Sequence, residues 1–421
     1  MAREMKDSGI EWIGQIPERW DLIRLENCMT QINEKNTKLK MHNILSLSKK
    51  NGVTPYEDRG NQGNKSKEDL SEYKLAYKNT IIANSMNILI GSVGISYYDG
   101  CVSPVYYVFK NNTNANLKFL NYIMQTTEFQ KQLRRYANGI LEIRLRVSYE
   151  DLVKQKIPLP PLSEQQKIAD FLDEKVKEID NAIEKTKETI ELYKKYEKNI
   201  IYSTIKNGIE EDKLKKTNSK YWSEIPEECE LVKIKRIFEI TKRIAGKEGY
   251  SILSITQRGI KEKDISKNEG QVAANYSNYQ LVYPGDFAMN HMDLLTGWVD
   301  ISNFLGVTSP DYRVFKLRNK NNHDPRYWLY VMQTCYSNKI FYSLARGVST
   351  LGRWRLQANA FNNFEVPVMP LKKQKLIADY LDDTCEKIDI IIAEKERLNQ
   401  YLDSYKKSLI YEYVTGKKEV K

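Results

Sequence analysis

Histidine and cysteine are scarce in this sequence, and their distribution argues against the usual metal and disulfide frameworks. The three histidines, His42, His291 and His323, are isolated from one another. The five cysteines are odd in number and show no CxxC spacing, so they predict reduced thiols in a cytoplasmic protein. A zinc cluster and a Ser-His-Asp triad therefore find little support.

Long apolar runs and common catalytic signatures are also absent. No apolar run approaches the roughly 20 residues that cross a bilayer, and the N-terminal residues MAREMKDSGIEWIG lack the apolar stretch of a secretion signal. The sequence contains no GxxxxGKS/T phosphate loop, no convincing glycine-rich cofactor loop, and no Asn/Asp-Pro-Pro-aromatic tetrapeptide that would hold a flipped adenine. We therefore expect no membrane contact, no catalytic site and no cofactor bound by this chain.

Basic residues, in contrast, are in excess. Lysine and arginine number 66 against 55 aspartates and glutamates, which gives a formal charge of +11 at pH 7. This charge indicates a polyanionic partner, although a basic protein with solvated lysines would show the same balance. The 28 tyrosines are a further hint of nucleic acid, because tyrosine can stack on bases and hydrogen-bond to phosphates.

The sequence is a tandem repeat. IPLPPLSEQQKIADFLDEKVKEID at 157–180 is answered 209 residues later by VPVMPLKKQKLIADYLDDTCEKID at 366–389. Other matches are WIGQIPERWDLIRL with YWSEIPEECELVKI, ILSLS with ILSIT, and SPVYYVFK with SPDYRVFK. An internal repeat of this kind decides the domain organisation.

Each copy combines two patterns. Short apolar runs broken by glycine, asparagine and proline predict strands and turns, whereas apolar residues at three- and four-residue steps predict one long helix. Ser163 and Gln166 are expected to form a capping box at the start of the first helix. The predicted fold is α+β, with two tandem-repeat globular domains separated by two long helices that pair as an antiparallel coiled coil. The predicted boundaries are 1–160 and 209–370 for the domains, 161–208 and 371–416 for the helices, and 417–421 for a tail.

An apolar stripe on each long helix forms the predicted seam of the coiled coil. Its residues are Ile168, Leu172, Ile179, Ile183, Ile190, Ile377, Leu381, Ile388, Ile392 and Leu402. The alternative is that each helix packs on its own globular domain. The seam is favoured because a helix of some 40 residues is roughly 60 Å long and outreaches a domain of this size.

Basic side chains in strands and loops are the candidate DNA contacts. Strand alternation would place Arg144 and Arg146 on one face, and Arg353 and Arg355 repeat that pair. Arginine and lysine most often read guanine in the major groove. The candidates that follow the matched ILS strands are Lys49, Lys50, Arg258 and Lys261. For all eight basic residues, the alternative to DNA contact is a side chain that is salt-bridged or solvated at the protein surface.

Two other features are predicted to be structural. Asn84 and Asn290 recur in apolar surroundings, so buried hydrogen bonding is favoured over base contact. Pro310-Asp311 has Pro104-Val105 as its repeat counterpart, which favours a Ser-Pro turn over a nuclease site.

The doubled PLPPLSEQ–IADFLD motif, the long helix after it and the DSGIEWIGQIPERW opening resemble the DNA-specificity subunit of type I restriction-modification enzymes. The resemblance covers essentially the whole chain, although the second copy has VMPLKKQK in place of LPPLSEQQ. It implies that each globular domain is a target recognition domain for one half of a split, asymmetric DNA sequence. It further implies that the helices hold two methyltransferase (modification) subunits, to which restriction/translocase subunits add. S-adenosylmethionine, ATP and Mg are then expected on partner subunits.

Two other classes of function stay open from the sequence. One is a coiled-coil protein adaptor that never contacts DNA. The other is a free-standing nuclease or methyltransferase whose site is unrecognised. Salt-dependent DNA binding discriminates against the adaptor, and methyl transfer by the purified chain alone would favour the enzyme.

Overall fold

The structure, a computed structural model, describes residues 3–49, 51–59, 69–139, 145–209, 213–264, 275–345 and 354–420. They form two compact units, one of residues 1–187 with 396–421 and one of residues 188–395. Each unit holds one globular domain and part of each long helix, so the unit boundaries fall inside the helices. We call residues 3–159 the first domain and residues 213–368 the second domain.

The first domain consists of short strands and three short α-helices. Its strands are β1 (Met5–Asp7), β2 (Gln15–Pro17), β3 (Asp21–Arg24), β4 (Met29–Ile32), β5 (Leu45–Ser48), β6 (Gly52–Pro55), β7 (Lys74–Ala76), β8 (Ile81–Asn84), β9 (Val93–Ile95), β10 (Gly100–Val102), β11 (Tyr106–Asn111) and β12 (Lys156–Leu159). Its helices are α1 (Leu117–Gln125), α2 (Thr127–Arg134) and α3 (Tyr149–Val153).

A four-stranded antiparallel sheet in the order β4-β11-β8-β9 lies at the centre of the first domain. Side chains on β11 alternate between its two faces. Phe109 packs with Phe119 of α1 and Phe129 of α2 in the main core, whereas Val108 packs with Leu45 and Val53 of the β5–β6 hairpin. Both faces of the sheet are therefore covered, one by helices and one by the hairpin.

The second domain repeats this plan. Its strands are β13 (Leu214–Lys216), β14 (Glu224–Pro226), β15 (Glu230–Lys233), β16 (Phe238–Thr241), β17 (Leu253–Thr256), β18 (Gly259–Glu262), β19 (Gln280–Val282), β20 (Phe287–Met289), β21 (Val299–Ile301), β22 (Gly306–Thr308), β23 (Arg313–Leu317) and β24 (Glu365–Val368). Its helices are α5 (Ile234–Ile237), α6 (Pro325–Ser337), α7 (Ile340–Ser343) and α8 (Ala358–Asn363). The sheet order β16-β23-β20-β21 has the same connectivity as in the first domain, which confirms a tandem α+β repeat.

The two long helices follow the two domains. α4 spans Leu162–Asn207 and α9 spans Leu371–Val414. In the first unit, the ring of Phe171 near the start of α4 lies 4.5 Å from the ring of Tyr413 at the end of α9, so the helices run antiparallel there. Among the described residues, no helix is both long and apolar enough to span a membrane.

The predicted capping box at the start of α4 is wrong. The carbonyl of Pro161 accepts from the backbone N–H of Gln165 at 3.0 Å, so the helix begins before Ser163, which lies within the first turn. The Gln166 side chain does not turn back to the backbone of Ser163. Its Oε1 accepts from Asn116 Nδ2 at 2.6 Å instead.

A buried glutamine ties the start of each long helix to a helix of its own domain. Gln165 Oε1 accepts from the backbone N–H of Asn116, the N-cap residue of α1, at 2.8 Å, and its Nε2 donates to a proline carbonyl at 2.7 Å. Gln374 makes the equivalent bond to the N–H of Asp324, the N-cap residue of α6, at 3.0 Å. The two glutamines occupy the same position of the doubled motif.

The last aspartate of the IADFLD and IADYLD segments makes a second hydrogen bond between the long helix and its domain. The Tyr122 hydroxyl donates to Asp173 at 2.7 Å, and the Tyr330 hydroxyl donates to Asp382 at 2.8 Å. Because both tyrosines belong to domain helices, the doubled motif encodes the packing of each long helix against its own domain.

This packing accounts for part of the predicted seam. Ile168 and Leu172 lie in the main core of the first domain, and Ile377 and Leu381 lie in that of the second. These four residues therefore pack against a globular domain, which was the alternative considered for the whole stripe. Of the remaining six, Ile179 is buried in the same core as Ile168 and Leu172. Ile190 and Ile388 are also buried, and the half-buried residues are Ile183, Ile392 and Leu402.

Candidate nucleic-acid interface

Three segments of the first domain meet beside strand β11. The backbone N–H of Val147 donates to the carbonyl of Ser85 at 3.2 Å, and the Tyr107 hydroxyl donates to the carbonyl of Val147 at 2.9 Å. Arg146 forms an isolated antiparallel bridge with Asn138 and exposes its side chain. These bonds hold an exposed guanidinium beside the turn that follows β8.

The strand that was predicted for the arginine pair is not formed at Arg146, which lies in an isolated bridge. The prediction that strand alternation fixes the face of Arg146 is therefore wrong, because a single bridge does not continue the pleat of a strand. Three of the predicted contacts, Lys50, Arg144 and Arg353, lie outside the described residues.

The second domain repeats the arrangement around Arg355. The backbone N–H of Leu356 donates to the carbonyl of His291 at 3.0 Å, and Arg313 Nη2 donates to the carbonyl of Leu356 at 2.8 Å. The exposed Arg355 forms an ion pair with Asp311 at 3.2 Å. Surface ion pairs of this kind contribute little to stability.

Arg313, which replaces Tyr107 of the first domain, was not among the residues predicted from the sequence. Arg313 is only 5% exposed and lies 4.7 Å from the centroid of the Phe361 ring. Burial lowers the pKa of Arg313 to about 10, and burial together with Arg313 and Arg355 lowers the pKa of His291 to about 3. At neutral pH this part of the second domain therefore carries two guanidinium charges beside an uncharged imidazole.

The remaining described candidates lie on the two hairpins. Lys49 follows strand β5, Arg258 lies in the turn between β17 and β18, and Lys261 lies on β18. All three side chains are exposed. Each domain thus has a cation on its hairpin (β5–β6 or β17–β18) and an exposed arginine beside the turn that follows β8 or β20.

Comparison with known proteins identifies the repeated unit. The type I restriction modification DNA specificity domain matches residues 17–194 and, a second time, residues 226–400. The two matches follow the two repeats and together cover most of the chain. This chain belongs to the type I DNA specificity family.

Full-length relatives and solved structures agree with this membership. The MjaVIII specificity subunit of a type I restriction enzyme from Methanocaldococcus jannaschii is 24% identical over 434 residues, which are 97% of this chain and 95% of the relative. The putative MjaX specificity subunit of the same organism is 24% identical over 446 residues, with 97% and 96% covered.

The fold is also similar to that of solved type I proteins. A chain solved to explain complex assembly and conformational transition of the type I R-M system matches with a TM-score of 0.72 at 13% identity, over 95% of this chain and 98% of that one. The HsdS subunit from Thermoanaerobacter tengcongensis matches with a TM-score of 0.54 at 13% identity and the same coverage.

Two predictions of structural roles are confirmed in this member of the specificity family. Asn84, which is buried, and Asn290, which is half-buried, each accept a hydrogen bond from the backbone N–H two residues ahead, at 3.0 and 3.2 Å. The backbone N–H of Tyr312 donates to the carbonyl of Ser309 at 2.9 Å, so Pro310-Asp311 forms a turn.

A cleft of about 560 Å³ opens in the first specificity domain, on the side of the turn at 84–90. Strand β5 forms one wall, and Tyr56, Tyr73 and Tyr106 are among the lining residues. These tyrosines were not among the residues predicted from the sequence. The high tyrosine content was one signal for them, and the matched segments SPVYYVFK and SPDYRVFK marked Tyr106, but the three residues are far apart in the chain.

Apolar pairs are exposed at repeated positions on the long helices. On α4, Leu192 and Tyr196 are 65% and 54% exposed, and 209 residues later Tyr401 and Tyr405 on α9 are 66% and 44% exposed. The rings of Tyr401 and Tyr405 stack with their centroids 6.3 Å apart. Residues four apart share one face of a helix, so each specificity-family repeat presents one apolar pair on its helix.

Proposed function

We propose that this chain is the sequence-specific DNA-binding subunit of a type I restriction-modification complex. Each domain is proposed to read one half of a bipartite, asymmetric double-stranded target. The observation that carries the proposal is the repeated exposed arginine, Arg146 or Arg355, held beside a turn in each of two specificity domains. Because the loops and hairpins differ between the two domains, as where Gln257 replaces Lys49, the two half-sites are expected to differ in sequence.

The other predicted cations have a different role in this proposal. Exposed lysines and arginines on hairpins, such as Lys49, Arg258 and Lys261, suit phosphate contacts, which position a domain without reading bases. Lys50, Arg144 and Arg353 are assigned to the same interface from the sequence alone. Each phosphate that these residues neutralise should add about one unit to the slope of log affinity against log salt.

Two measurements test DNA recognition. Mapping methylated adenines in the host genome with and without this gene should reveal a split target that depends on the gene. Duplexes with that target should then bind the assembled complex more tightly than scrambled duplexes, with strong salt dependence. A methylation pattern that is unchanged without the gene, together with no salt-dependent binding, would favour the protein adaptor instead.

The subunit itself is proposed to be non-catalytic. Within the described ranges, no group of three or more His, Cys, Asp or Glu side chains could hold a metal ion, and the sequence lacks the common nucleotide and methyl-transfer motifs. We assign S-adenosylmethionine, ATP and Mg to the partner subunits, and the complex to the cytoplasm. The purified chain should transfer no methyl group from S-adenosylmethionine to target DNA until the modification subunits are added. Transfer by the chain alone would contradict this assignment.

Two modification subunits are the proposed partners of the long helices, and restriction/translocase subunits are proposed to join them. Leu192 with Tyr196, and Tyr401 with Tyr405, present equivalent apolar pairs to solvent. Equivalent surfaces on two repeats suit two copies of one partner. Exposed apolar and aromatic residues are also enriched where proteins bind one another.

Light scattering of the mixed, purified subunits should give two modification subunits per chain. Replacing Leu192 and Tyr196 with serine should leave one subunit bound, and so should the same change at Tyr401 and Tyr405. The exposed residues Lys195 and Gln400 on the same helices serve as controls, and their alanine variants should keep the two-to-one stoichiometry. Unchanged stoichiometry in both serine variants would exclude these pairs as the docking surface.

A further inference from the structure

The cleft of the first domain has the size of a small-ligand site. Its volume of about 560 Å³ lies within the range of roughly 300–1,000 Å³ that is usual for such sites. The turn at 84–90 forms one side, and the carbonyl of Ser85 in this turn binds the residue that follows Arg146. The cleft therefore opens beside the arginine that the proposed function places at the DNA.

The chemistry of the lining suits a planar, negatively charged ligand. Tyr56, Tyr73 and Tyr106 provide aromatic surface, and Lys49 and Arg59 provide positive charge. The Arg59 guanidinium lies over the Tyr56 ring, 4.2 Å from its centroid, and donates to the Tyr56 hydroxyl at 3.0 Å. Among the residues that line the cleft in the described part of the chain, none is acidic. The described lining therefore offers no carboxylate ligand to a divalent metal ion.

The mouth of the cleft is apolar and exposed. Ile90 and Met86 line it and are 56% and 38% exposed. Exposed apolar side chains at the edge of a basic site are the residue type that enters between stacked bases in several classes of DNA-binding protein. Ser46 and Ser48 of strand β5 are also among the lining residues and add polar groups to this wall.

The corresponding region of the second domain is built differently. Tyr279 and Tyr312 correspond to Tyr73 and Tyr106, but Gln257 stands where the first domain has Lys49. Gln257 Nε2 lies 3.5 Å from the carbonyl oxygen of Thr296, on the turn after β20. In the second domain the hairpin thus reaches the turn directly, whereas in the first domain the cleft lies between them.

We infer that the cleft of the first domain binds one nucleotide, with its base on the tyrosine and Arg59 surface and its phosphate at Lys49. Bases stack on aromatic and guanidinium planes whatever their sequence. The nucleotide comes from the target DNA, as a base that leaves the stack when the complex binds, and this source rests on the proposed function. A free mononucleotide offers the same chemistry, and a titration without DNA distinguishes it from a nucleotide of the target.

Mismatch scanning tests the DNA source in the assembled complex. A mismatch at the nucleotide that leaves the stack removes the cost of unpairing it, so binding there should become at least about tenfold tighter. The gain should occur in one half-site alone, the half-site whose recognition Arg146→Ala weakens. This gain in affinity should be lost in Tyr56→Ala and in Lys49→Ala. The Lys49 side chain is exposed, so its removal should leave the fold intact. Tyr97→Ala, an exposed tyrosine of the same domain that does not line the cleft, should keep the gain in affinity.

Calorimetric titration of the full chain with deoxynucleoside monophosphates, without DNA, tests the other source. Binding that Tyr56→Ala and Lys49→Ala abolish, with no mismatch gain in DNA, would support the cleft as a site for free nucleotides. If neither a mismatch gain nor mononucleotide binding is found, the inference is overturned. Sequence-specific binding of the matched duplex in the mismatch scan would then show that the proposed function holds although the cleft binds no nucleotide.

Discussion

Lys406 Nζ lies 2.5 Å from Asp180 Oδ1, and this ion pair joins the two long helices within the first unit. The repeat-equivalent positions in the second unit hold Glu197 and Asp389, two carboxylates. Burial raises the pKa of Glu197, and the negative charge of Asp389 raises it further. The helix pairing is therefore supported by opposite charges in one unit and opposed by like charges in the other.

Replacing Glu197 with lysine should stabilise the second unit. The new ammonium group faces Asp389, so a repulsive pair becomes an attractive one, with an expected gain of about 1 kcal/mol. For a unit of this size, thermal unfolding should show a rise in Tm of roughly 2–4 °C. The matched variant Lys406→Glu should lower the Tm of the first unit. A Glu197→Lys protein that melts at or below the wild-type temperature would contradict the charge argument.

The same glutamate should make the second unit more stable as the pH falls. Its pKa in the folded state lies above its value in the unfolded chain, so the folded state binds more protons between the two values. Stability is thus gained as the pH falls through the raised pKa towards the ordinary glutamate value, and it is lost as the pH rises. Relative to Glu197→Gln, the wild-type protein should be less stable at pH 7, and the difference should shrink towards pH 4.5. A difference in Tm that is constant across this range would show that Glu197 does not titrate with folding.

Removing the buried glutamine of the doubled motif should destabilise its own unit. Gln165→Ala leaves the N–H of Asn116 and a proline carbonyl unpaired in the interior. Unpaired buried groups cost about 1–3 kcal/mol each, so a loss of roughly 2–4 kcal/mol is expected in denaturant unfolding. Gln374→Ala should do the same to the second unit, and Gln166→Ala, an exposed neighbour, should have little effect. Equal losses for Gln165→Ala and Gln166→Ala would exclude the buried bonds as the cause.

The two repeated arginines should act on different half-sites. Arg146→Ala is expected to weaken recognition of one half-site by about 1–3 kcal/mol for a lost base contact, and Arg355→Ala should affect the other. Each variant is the control for the other, because the untouched domain should keep its preference. Binding to duplexes with one half-site scrambled measures both effects. Loss of affinity that is the same for every sequence would assign the arginines to phosphate contacts.

Local patterns were sufficient to predict the two long helices. Apolar residues at three- and four-residue steps predicted long helices close to the observed Leu162–Asn207 and Leu371–Val414. The capping box failed although its local pattern was correct. The reason is tertiary, because the Gln166 side chain accepts a hydrogen bond from Asn116 of the domain instead, and α4 already begins at Leu162.

The sequence by itself determined the tandem repeat, the α+β class and the two helices, because each depends on spacing within a short window or on comparing one window with another. Only the tertiary structure decided three other relationships. Arg313 makes the hydrogen bond to a backbone carbonyl that Tyr107 makes in the first domain. Tyr56 and Tyr106 line one cleft, and Glu197 faces the carboxylate of Asp389. These relationships join residues that lie tens to hundreds of positions apart. Their contacts are set by how sheets and helices pack, and no local pattern records which distant side chain that packing brings near.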